Sequence, residues 1–274
     1  MKSGVGDVKD KLIIGRYLPL DSIIHRLDPR AKFIFVFLFI IIIFLSHHWI
    51  AYLWLSCLIL IGIKLARLPL LFLFKGLTPI FIFVGFTFEM HMFVTKGGTR
   101  LFEWGFISID SQGLNEGALI VLRLTFIMIT STILTLTTSP LELTDAFERL
   151  FKPLKYFKIP VAALSMMMSI ALRFIPTLME ELDKIMKSQK SRGSDFNSGG
   201  FFHRVKAFIP LLIPLFVSAF KRAEDLAIAM EVRGYDATLE RTSFRYLEWH
   251  MRDTITLLMI IPIGAVVYWI RTYL

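Results

Sequence analysis

The feature that most constrains this chain is a set of apolar runs, several of which approach 20 residues with few charges. A helix that spans a bilayer needs about 20 apolar residues, so these runs predict an integral membrane protein. The composition agrees, because 55% of the 274 residues are hydrophobic and 26 are Phe. The first 32 residues are polar and basic, so we expect the first apolar segment to be retained as an uncleaved span.

Five apolar segments fit this requirement, at about 31–46, 49–64, 70–93, 114–138 and 255–269. Lys and Arg are enriched on the cytoplasmic side of membrane spans. Seven Lys and Arg residues precede residue 33, and another 17 lie in residues 139–252. A layout with five spans places both groups on the same side of the membrane. The sequence therefore predicts an all-α membrane protein with a cytoplasmic N-terminus. Its predicted parts are 1–138 with four spans, a helical cytoplasmic region 139–252, and 253–274 with the last span.

Two further apolar segments, 161–179 and 205–220, leave a second layout open. The first is long enough to span, whereas the second is short and contains Pro210 and Pro214. Counting both as spans gives seven and also returns a consistent orientation. We favour five spans, in which these segments are the buried or membrane-surface beginnings of two long helices that continue into amphipathic cytoplasmic halves.

Composition and motifs also exclude several classes of protein. The net charge of +9 reports membrane topology first, and no zinc-finger spacing or RNA-binding aromatic motif suggests nucleic acid. The single cysteine, Cys57, cannot form a disulfide within one chain. We find no Gly-x4-Gly-Lys-Ser/Thr loop for ATP and no His-Glu-x-x-His pattern, so we expect neither an enzyme nor a bound cofactor.

The two long helices are predicted to end alike, with Arg-Gly-x-Asp in KSQKSRGSDF (187–196) and AMEVRGYDA (229–237). Gly193 and Gly234 are expected to adopt the left-handed conformation that closes a helix, which leaves Arg192 and Arg233 at the helix ends. A cation there interacts favourably with the helix dipole by about 0.3–1 kcal/mol, which explains a single such ending. Two of them could form paired guanidinium forks, each for a carboxylate on a partner.

Polar residues near the predicted spans provide weaker candidates. His47, His48, Glu89 and His91 could form a metal or external proton site, but we favour interfacial residues at helix ends. Arg123 lies about ten residues into the fourth span and should face protein or water. A structural contact is favoured for it over a latch to a partner.

The segment before the first span, SIIHRLDPRAKF (22–33), combines charged residues with a proline. We expect His25, Arg26, Asp28 and Arg30 to form a polar cap where the first helix leaves the cytoplasm, and Pro29 suits a first helical turn. An alternative role for this segment is a contact with anionic lipid.

Three motifs, in this order along the chain, resemble those of a known family: SIIHRLDPRAKF, KSQKSRGSDF and AMEVRGYDA. That family is the transmembrane coupling (T) component of energy-coupling factor transporters, the bacterial ABC-type importers of vitamins and trace metals. The order of spans and cytoplasmic region is similar over essentially the whole chain. The family's two signatures read Ala-Arg-Gly, and here Ser191 and Val232 occupy the Ala positions. Both are small enough to keep the helix ends able to enter a groove.

The resemblance implies a non-catalytic scaffold in the cell membrane that contacts two cytoplasmic ATPase subunits through its two coupling helices. The implied ATPase-binding residues are Ser191, Arg192, Gly193, Val232, Arg233 and Gly234. A membrane subunit that captures the substrate would pack on the apolar parts of the same helices. The alternative is a self-sufficient secondary transporter or channel, although the spans do not pair as inverted repeats.

Methionine and other apolar residues mark the implied surface for the substrate-binding subunit. Its residues are Met167, Met168, Pro176, Met179, Pro210, Pro214 and Phe216, together with Met166, Leu211, Leu212, Ile213 and Phe220. Methionine suits a surface that must accept several partners, but the Met run would serve a packed core equally well. The substrate itself would be recognised by another chain.

Overall fold

The computed structural model describes residues 17–18, 20–68, 70–104, 107–193, 200–236 and 247–273, and most of them are helical. In these ranges the α-helices are α1 Pro29–Leu45, α2 Trp49–Ala66, α3 Leu70–Val94, α4 Ser111–Thr137, α5 Pro140–Leu150, α6 Val161–Ser191, α7 Phe201–Val232, α8 Met251–Leu258 and α9 Ile260–Tyr273. A 3₁₀-helix, Lys152–Phe157, lies between α5 and α6. The predicted all-α membrane fold is confirmed.

A small β-hairpin was not predicted and lies in the loop between α3 and α4. Its strands are β1 (Arg100–Trp104) and β2 (Ile107–Asp110), which pair antiparallel with an irregularity after Arg100. Gly98 precedes β1 with a φ of 76°, a conformation that favours glycine. The Asp110 carboxylate accepts a hydrogen bond of 2.8 Å from the backbone N–H of Gly97, which closes the base of the hairpin.

The apolar helices correspond well with the predicted spans. Four stretches in the described ranges are long and apolar enough to cross a membrane: Trp49–Ala66, Ser111–Thr137, Val161–Ser191 and Met251–Tyr273. The predicted spans at 31–46 and 70–93 correspond to α1, which has 17 residues, and α3, which has 25. By length and composition Val161–Ser191 also qualifies, although the favoured layout keeps this helix out of the bilayer. The number of spans stays a prediction.

The chain divides into two compact units, and the first consists of Met1–Arg149 with Leu247–Leu274. Its core contains residues of α1, α2, α4, α9 and the turn after α2, of which Ile43 and Leu55 are fully buried and Val267 is 1% exposed. The other faces of the same helices are apolar and exposed, as in Leu53 of α2 at 69% and Ile261 of α9 at 66%. Helices that are apolar on all sides fit a lipid environment rather than water.

Two glycines allow α4 to approach α3 closely. A Cβ atom at Gly113 would lie 2.6 Å from the carbonyl oxygen of Thr95 and 3.0 Å from that of His91. One at Gly117 would lie 3.2 Å from the ring of Phe88. The spacing, four residues apart, is the small-xxx-small pattern by which membrane helices bring their backbones together.

A buried polar network joins the beginning of α1 to the beginning of α8. Asp28 caps α1, because its Oδ1 accepts a bond of 2.8 Å from the backbone N–H of Arg30. The Arg30 guanidinium donates to both oxygens of Asp28, at 3.0 and 2.8 Å. Asp253 accepts from the backbone N–H groups of Asp28 and His250, each at 2.9 Å. The predicted polar cap is confirmed for Asp28 and Arg30, and Asp253 was not predicted.

Lys32 extends the network to the end of α4. Its side chain is almost fully buried, and its Nζ donates to the carbonyl oxygens of Thr137, at 2.9 Å, and His25, at 3.1 Å. Two acceptors compensate in part for removing an ammonium group from water. This end of the first unit is therefore held by directed contacts between segments that are far apart in the sequence.

The second compact unit is Leu150–Tyr246, and it contains the 3₁₀-helix, α6 and α7. It lies within the predicted region 139–252, whereas α5 and the residues from Leu247 onward belong to the first unit. The helices α6 and α7 pack against each other, and each is continuous through its internal prolines. Glu181 of α6 accepts hydrogen bonds from Ser218 and, at 2.9 Å, from Arg222 of α7.

Candidate functional site

The end of α6 has the geometry that its Arg-Gly sequence predicts. The helix ends at Ser191, and Arg192 caps it with φ −89° and ψ 8°. Gly193 follows with φ 88°, and its N–H donates to the carbonyl oxygen of Lys190 at 3.0 Å. No atom lies within 4 Å of a Cβ added at this glycine, so the positive φ, and not crowding, favours glycine here.

The end of α7 repeats this geometry. The helix ends at Val232, Arg233 caps it with φ −83° and ψ 8°, and Gly234 has φ 73°. The N–H of Gly234 donates to Glu231 at 2.9 Å, and that of Tyr235 donates to the carbonyl oxygen of Met230 at 3.0 Å. These two bonds form a Schellman motif, and α6 shows the first of them. The prediction that both glycines close their helices in the left-handed conformation is confirmed.

Both helix ends are exposed to solvent. Residues 191–193 and 232–234 are all exposed, and Val232 is 82% exposed despite being apolar. Within the part of the chain that the structure describes, neither Arg192 nor Arg233 has a side-chain ion pair. Asp195, the acidic residue of the first motif, lies outside the described residues, whereas Asp236 of the second is described and has contacts of its own. The geometry thus presents a guanidinium group at each of two matching helix ends.

The residues of the predicted partner surface are mostly exposed on α6 and α7. Met167 is 64% exposed, Met168 50% and Phe216 61%. Pro176, Pro210 and Pro214 are exposed as well, and Met179 is half-buried. Such large apolar side chains usually cluster on a soluble protein only where a partner or a membrane covers them.

One residue of that surface was placed wrongly and another was missed. Leu211 is fully buried, because α7 turns this residue toward protein while Leu212 and Ile213 are 45% and 60% exposed. Val217, which was not predicted, is 64% exposed and lies next to Phe216 on the same helix. Helical spacing could have indicated both corrections. Ile213, Phe216 and Val217 share one helix face at i, i+3 and i+4, whereas a residue two positions before Ile213 lies on the opposite face.

Arg123 contacts protein, as the favoured structural interpretation predicted. Its Nη2 donates to the carbonyl oxygen of Ser46 at 2.9 Å, and its Nε donates to the hydroxyl of Tyr52 at 3.1 Å. The guanidinium also lies 5.8 Å from the ring centroid of Phe44. These contacts tie α4 to the turn between α1 and α2.

The histidines near the predicted outer helix ends do not form a metal centre in the described ranges. No group of three His, Cys, Asp or Glu side chains able to hold a metal ion is found there. The Nδ1 atom of His91 lies 3.3 Å from the hydroxyl oxygen of Thr95, within hydrogen-bond distance. Burial lowers the pKa of His47 below its usual value, with the nearby charges of Arg123 and Arg271 acting in the same direction.

Comparison with known proteins identifies the class. A sequence profile of the CbiQ family, described as cobalt transport protein, matches residues 21–244. The energy-coupling factor transporter transmembrane protein EcfT of Staphylococcus aureus (strain 04-02981) is 62% identical over 261 residues, which cover 95% of this chain and 97% of the relative. The protein of the same name from Bacillus subtilis (strain 168) is 50% identical over 262 residues, covering 96% and 99%.

The matches and the apolar helices together define a multi-pass membrane subunit of a transporter. The chain belongs to the CbiQ family, and within it to the transmembrane (T) components of energy-coupling factor transporters. The family that the Arg-Gly motifs and the N-terminal motif resembled is therefore confirmed.

Proposed function

We propose that this chain is a non-catalytic scaffold that transmits the ATP-driven motion of two separate ATPase subunits to a membrane subunit that captures the substrate. The observation that carries the proposal is the matched pair of exposed helix ends, Arg192-Gly193 and Arg233-Gly234. A single cation at a helix end would need no partner to explain it. Two ends with the same cap geometry suit two copies, or two similar forms, of one kind of partner.

Each end has the chemistry to dock on an acidic groove. A guanidinium group can bind a carboxylate through two parallel hydrogen bonds, a geometry that lysine cannot reproduce. The left-handed glycine turns the chain away directly after the arginine, so that the last helical turn protrudes. Ser191 and Val232, which flank the arginines, are small or apolar and exposed, and would lie against the walls of the groove.

The length of α6 and α7 supports the transmission of movement. They have 31 and 32 residues, and at about 1.5 Å per residue each is about 46–48 Å long. In our proposal the arginine end follows the ATPases. The apolar part, with Met167, Met168 and Phe216, holds the substrate-binding subunit, so displacement at one end moves the other.

The test of docking is co-purification of the ATPases with variants of the tagged chain. Arg192→Ala and Arg233→Ala should each weaken assembly by roughly 30-fold or more, since losing one partner of a buried charge pair at an interface costs about 2–5 kcal/mol. The double variant should lose the ATPases and ATP-dependent uptake. Arg→Lys at both positions should restore only part of the binding, because the charge is retained without the fork.

A matched control removes the same charge from the same helices. Lys190→Ala with Lys221→Ala changes two exposed cations and should leave assembly near that of the parent chain. If the Arg192/Arg233 double variant assembles and transports as well as this control, the docking proposal is wrong.

The alternative, a self-sufficient transporter, is tested by the position of the first motif. With Cys57 replaced by serine, a cysteine at position 194 should react with an impermeant maleimide only from the cytoplasmic side. Position 194 follows Gly193 and lies outside the described residues. Labelling from outside would support the seven-span layout, which places the first Arg-Gly motif outside the cell, and would contradict the coupling model.

A further inference from the structure

A basic cavity of about 670 Å³ lies in the first unit, where the segment before α1 faces the last turn of α2. Its polar lining contains four cations, Arg26, Lys64, Arg67 and Arg252, and one carboxylate, that of Asp21. A volume of this size is in the usual range for a small-molecule site. The residues that line it come from three separate stretches of the chain, so the fold assembles the cluster.

The lining keeps a positive charge after its internal ion pair is counted. Arg26 binds Asp21 through two hydrogen bonds, at 2.8 and 2.7 Å, and this guanidinium holds the pKa of the Asp21 carboxyl below its usual value. In the described part of the chain, Lys64, Arg67 and Arg252 have no ion pair with a carboxylate. Arg67 donates from Nη1 to the backbone carbonyl of Asp21 at 3.4 Å, which leaves the rest of its guanidinium for another acceptor. The cavity is thus electrostatically suited to an anion.

One wall of the cavity is apolar and belongs to a membrane-spanning helix. Ile61 and Leu65 of α2 are 54% and 43% exposed, and Ile23, from the segment before α1, also lines the cavity and is 60% exposed. Trp49–Ala66 is among the stretches able to cross a membrane, and Lys64 and Arg67 stand at its end. A soluble anion would use the cations and leave these side chains uncovered. A phospholipid uses both, with the phosphate on the cations and an acyl chain along α2.

The backbone conformation of Arg67 determines which substitution can test this cavity. Arg67 caps α2 in the left-handed conformation, with φ 55° and ψ 32°, where glycine is the usual residue. An arginine incurs a steric penalty there that glycine would not. The Arg67 side chain lines the basic cavity, so replacing this residue with glycine removes one of its cations while the backbone conformation is kept.

We propose that this cavity binds the headgroup of an anionic phospholipid in the leaflet predicted to be cytoplasmic. Its phosphate lies among Lys64, Arg67 and Arg252, and an acyl chain runs along Ile61 and Leu65. Phosphatidylglycerol has the required chemistry, whereas the choline of phosphatidylcholine would place a cation among cations. The proposal is independent of how the chain contacts its ATPases.

Native mass spectrometry of the full-length chain in mild detergent tests this site. Phosphatidylglycerol or phosphatidylcholine is titrated into the parent chain, into Arg67→Gly, and into the triple variant Lys64→Gln/Arg67→Gly/Arg252→Gln. Each cation removed should raise the Kd for phosphatidylglycerol about fivefold, and the triple variant should raise it about 100-fold. Binding of phosphatidylcholine should be weak and the same in all three.

Arg67→Gly separates ligand binding from folding, because glycine adopts the observed backbone without strain and the helix cap is kept. Lys158→Gly is the matched control, since Lys158 also has a positive φ, 61°, and is exposed in the second unit. It removes the same charge and relieves the same kind of backbone conformation, and it should not change the Kd for phosphatidylglycerol.

Two results would overturn the proposal. One is a triple variant that binds phosphatidylglycerol as tightly as the parent chain and the Lys158→Gly control. The other is full competition by glycerol 1-phosphate at the concentration at which phosphatidylglycerol saturates, because the site would then recognise a soluble phosphate and not a lipid. The proposal is supported if the affinity for phosphatidylglycerol falls about fivefold in Arg67→Gly, is lost in the triple variant and is unaffected by glycerol 1-phosphate.

Discussion

The two compact units use polar groups in opposite ways. In the first unit, Lys32 and Asp253 are 5% and 2% exposed, and each forms a hydrogen bond with a backbone group of a distant segment. In the second, the ion pair between Glu181 and Arg222 joins α6 to α7 with side chains that are 25% and 36% exposed. Exposed pairs of this kind contribute about 0–1 kcal/mol, whereas buried hydrogen bonds are costly to break.

Apolar residues show the same contrast. The first unit has a continuous core that includes Ile43, Leu55 and Val267. Among the side chains of α7 that the structure describes, only Leu211 is fully buried. A pair of long helices with so small a core and so much exposed apolar surface depends on its surroundings for stability. The first unit is thus held by a core of its own, whereas the second leaves large apolar side chains of α6 and α7 exposed.

Breaking the first unit's polar network should have the largest effect. Asp253→Ala leaves the backbone N–H groups of Asp28 and His250 without their acceptor, and should lower the free energy of unfolding by about 4 kcal/mol. Thermal unfolding of the purified chain in detergent measures it. Asp253→Asn retains one acceptor oxygen and should lose roughly half as much. Equal stability of all three proteins would contradict the role given to this network.

The contact of Arg123 should matter less. Arg123→Leu removes donors to Ser46 and Tyr52, but the Tyr52 hydroxyl still donates to the Ser46 carbonyl at 3.2 Å. We expect a loss of about 2 kcal/mol in the free energy of unfolding. Combining it with Tyr52→Phe should cost less than the sum of the two single variants, because they share one interaction. A fall in uptake without a loss of stability would instead support the latch to a partner.

Local features of the fold were predictable from the sequence because they depend on neighbouring residues. Gly193 and Gly234 end their helices as their position after periodic segments predicts, and Asp28 with Pro29 begins α1. A further local signal was available and missed. Ser139 and Glu142 form a capping box at α5, with bonds of 3.0 and 3.3 Å, and the Ser-x-x-Glu pattern is visible in the sequence.

Contacts between distant segments could not be predicted in this way. The bond from Asp28 to Asp253 joins residues 225 positions apart, and it depends on how far α1 and α8 are displaced along each other. Hydrophobic periodicity gives the buried face of a helix but not that displacement. The basic cavity is a similar case, because Arg252 joins Lys64 and Arg67 only after the helices have packed.

We expect the smallest effect on stability at the exposed face of α7. Substitutions there test whether the second unit has a core of its own. Phe216→Ser should change the free energy of unfolding by no more than about 0.5 kcal/mol, because the ring is 61% exposed in the chain alone. Leu211→Ala, in the same helix and fully buried, should cost about 2–5 kcal/mol. Thermal unfolding of the purified chain measures both.

If another subunit covers this face, the two variants should rank in the opposite order when transport is measured instead of stability. Phe216→Ser should then reduce recovery of the substrate-binding subunit and substrate uptake while the chain itself remains folded. If Phe216→Ser is as destabilising as Leu211→Ala, the ring belongs to the core of the second unit. If it alters neither stability nor uptake, this face of α7 is apolar because it contacts lipid, and the partner surface must lie on α6, where Met167→Ser and Met168→Ser would locate it.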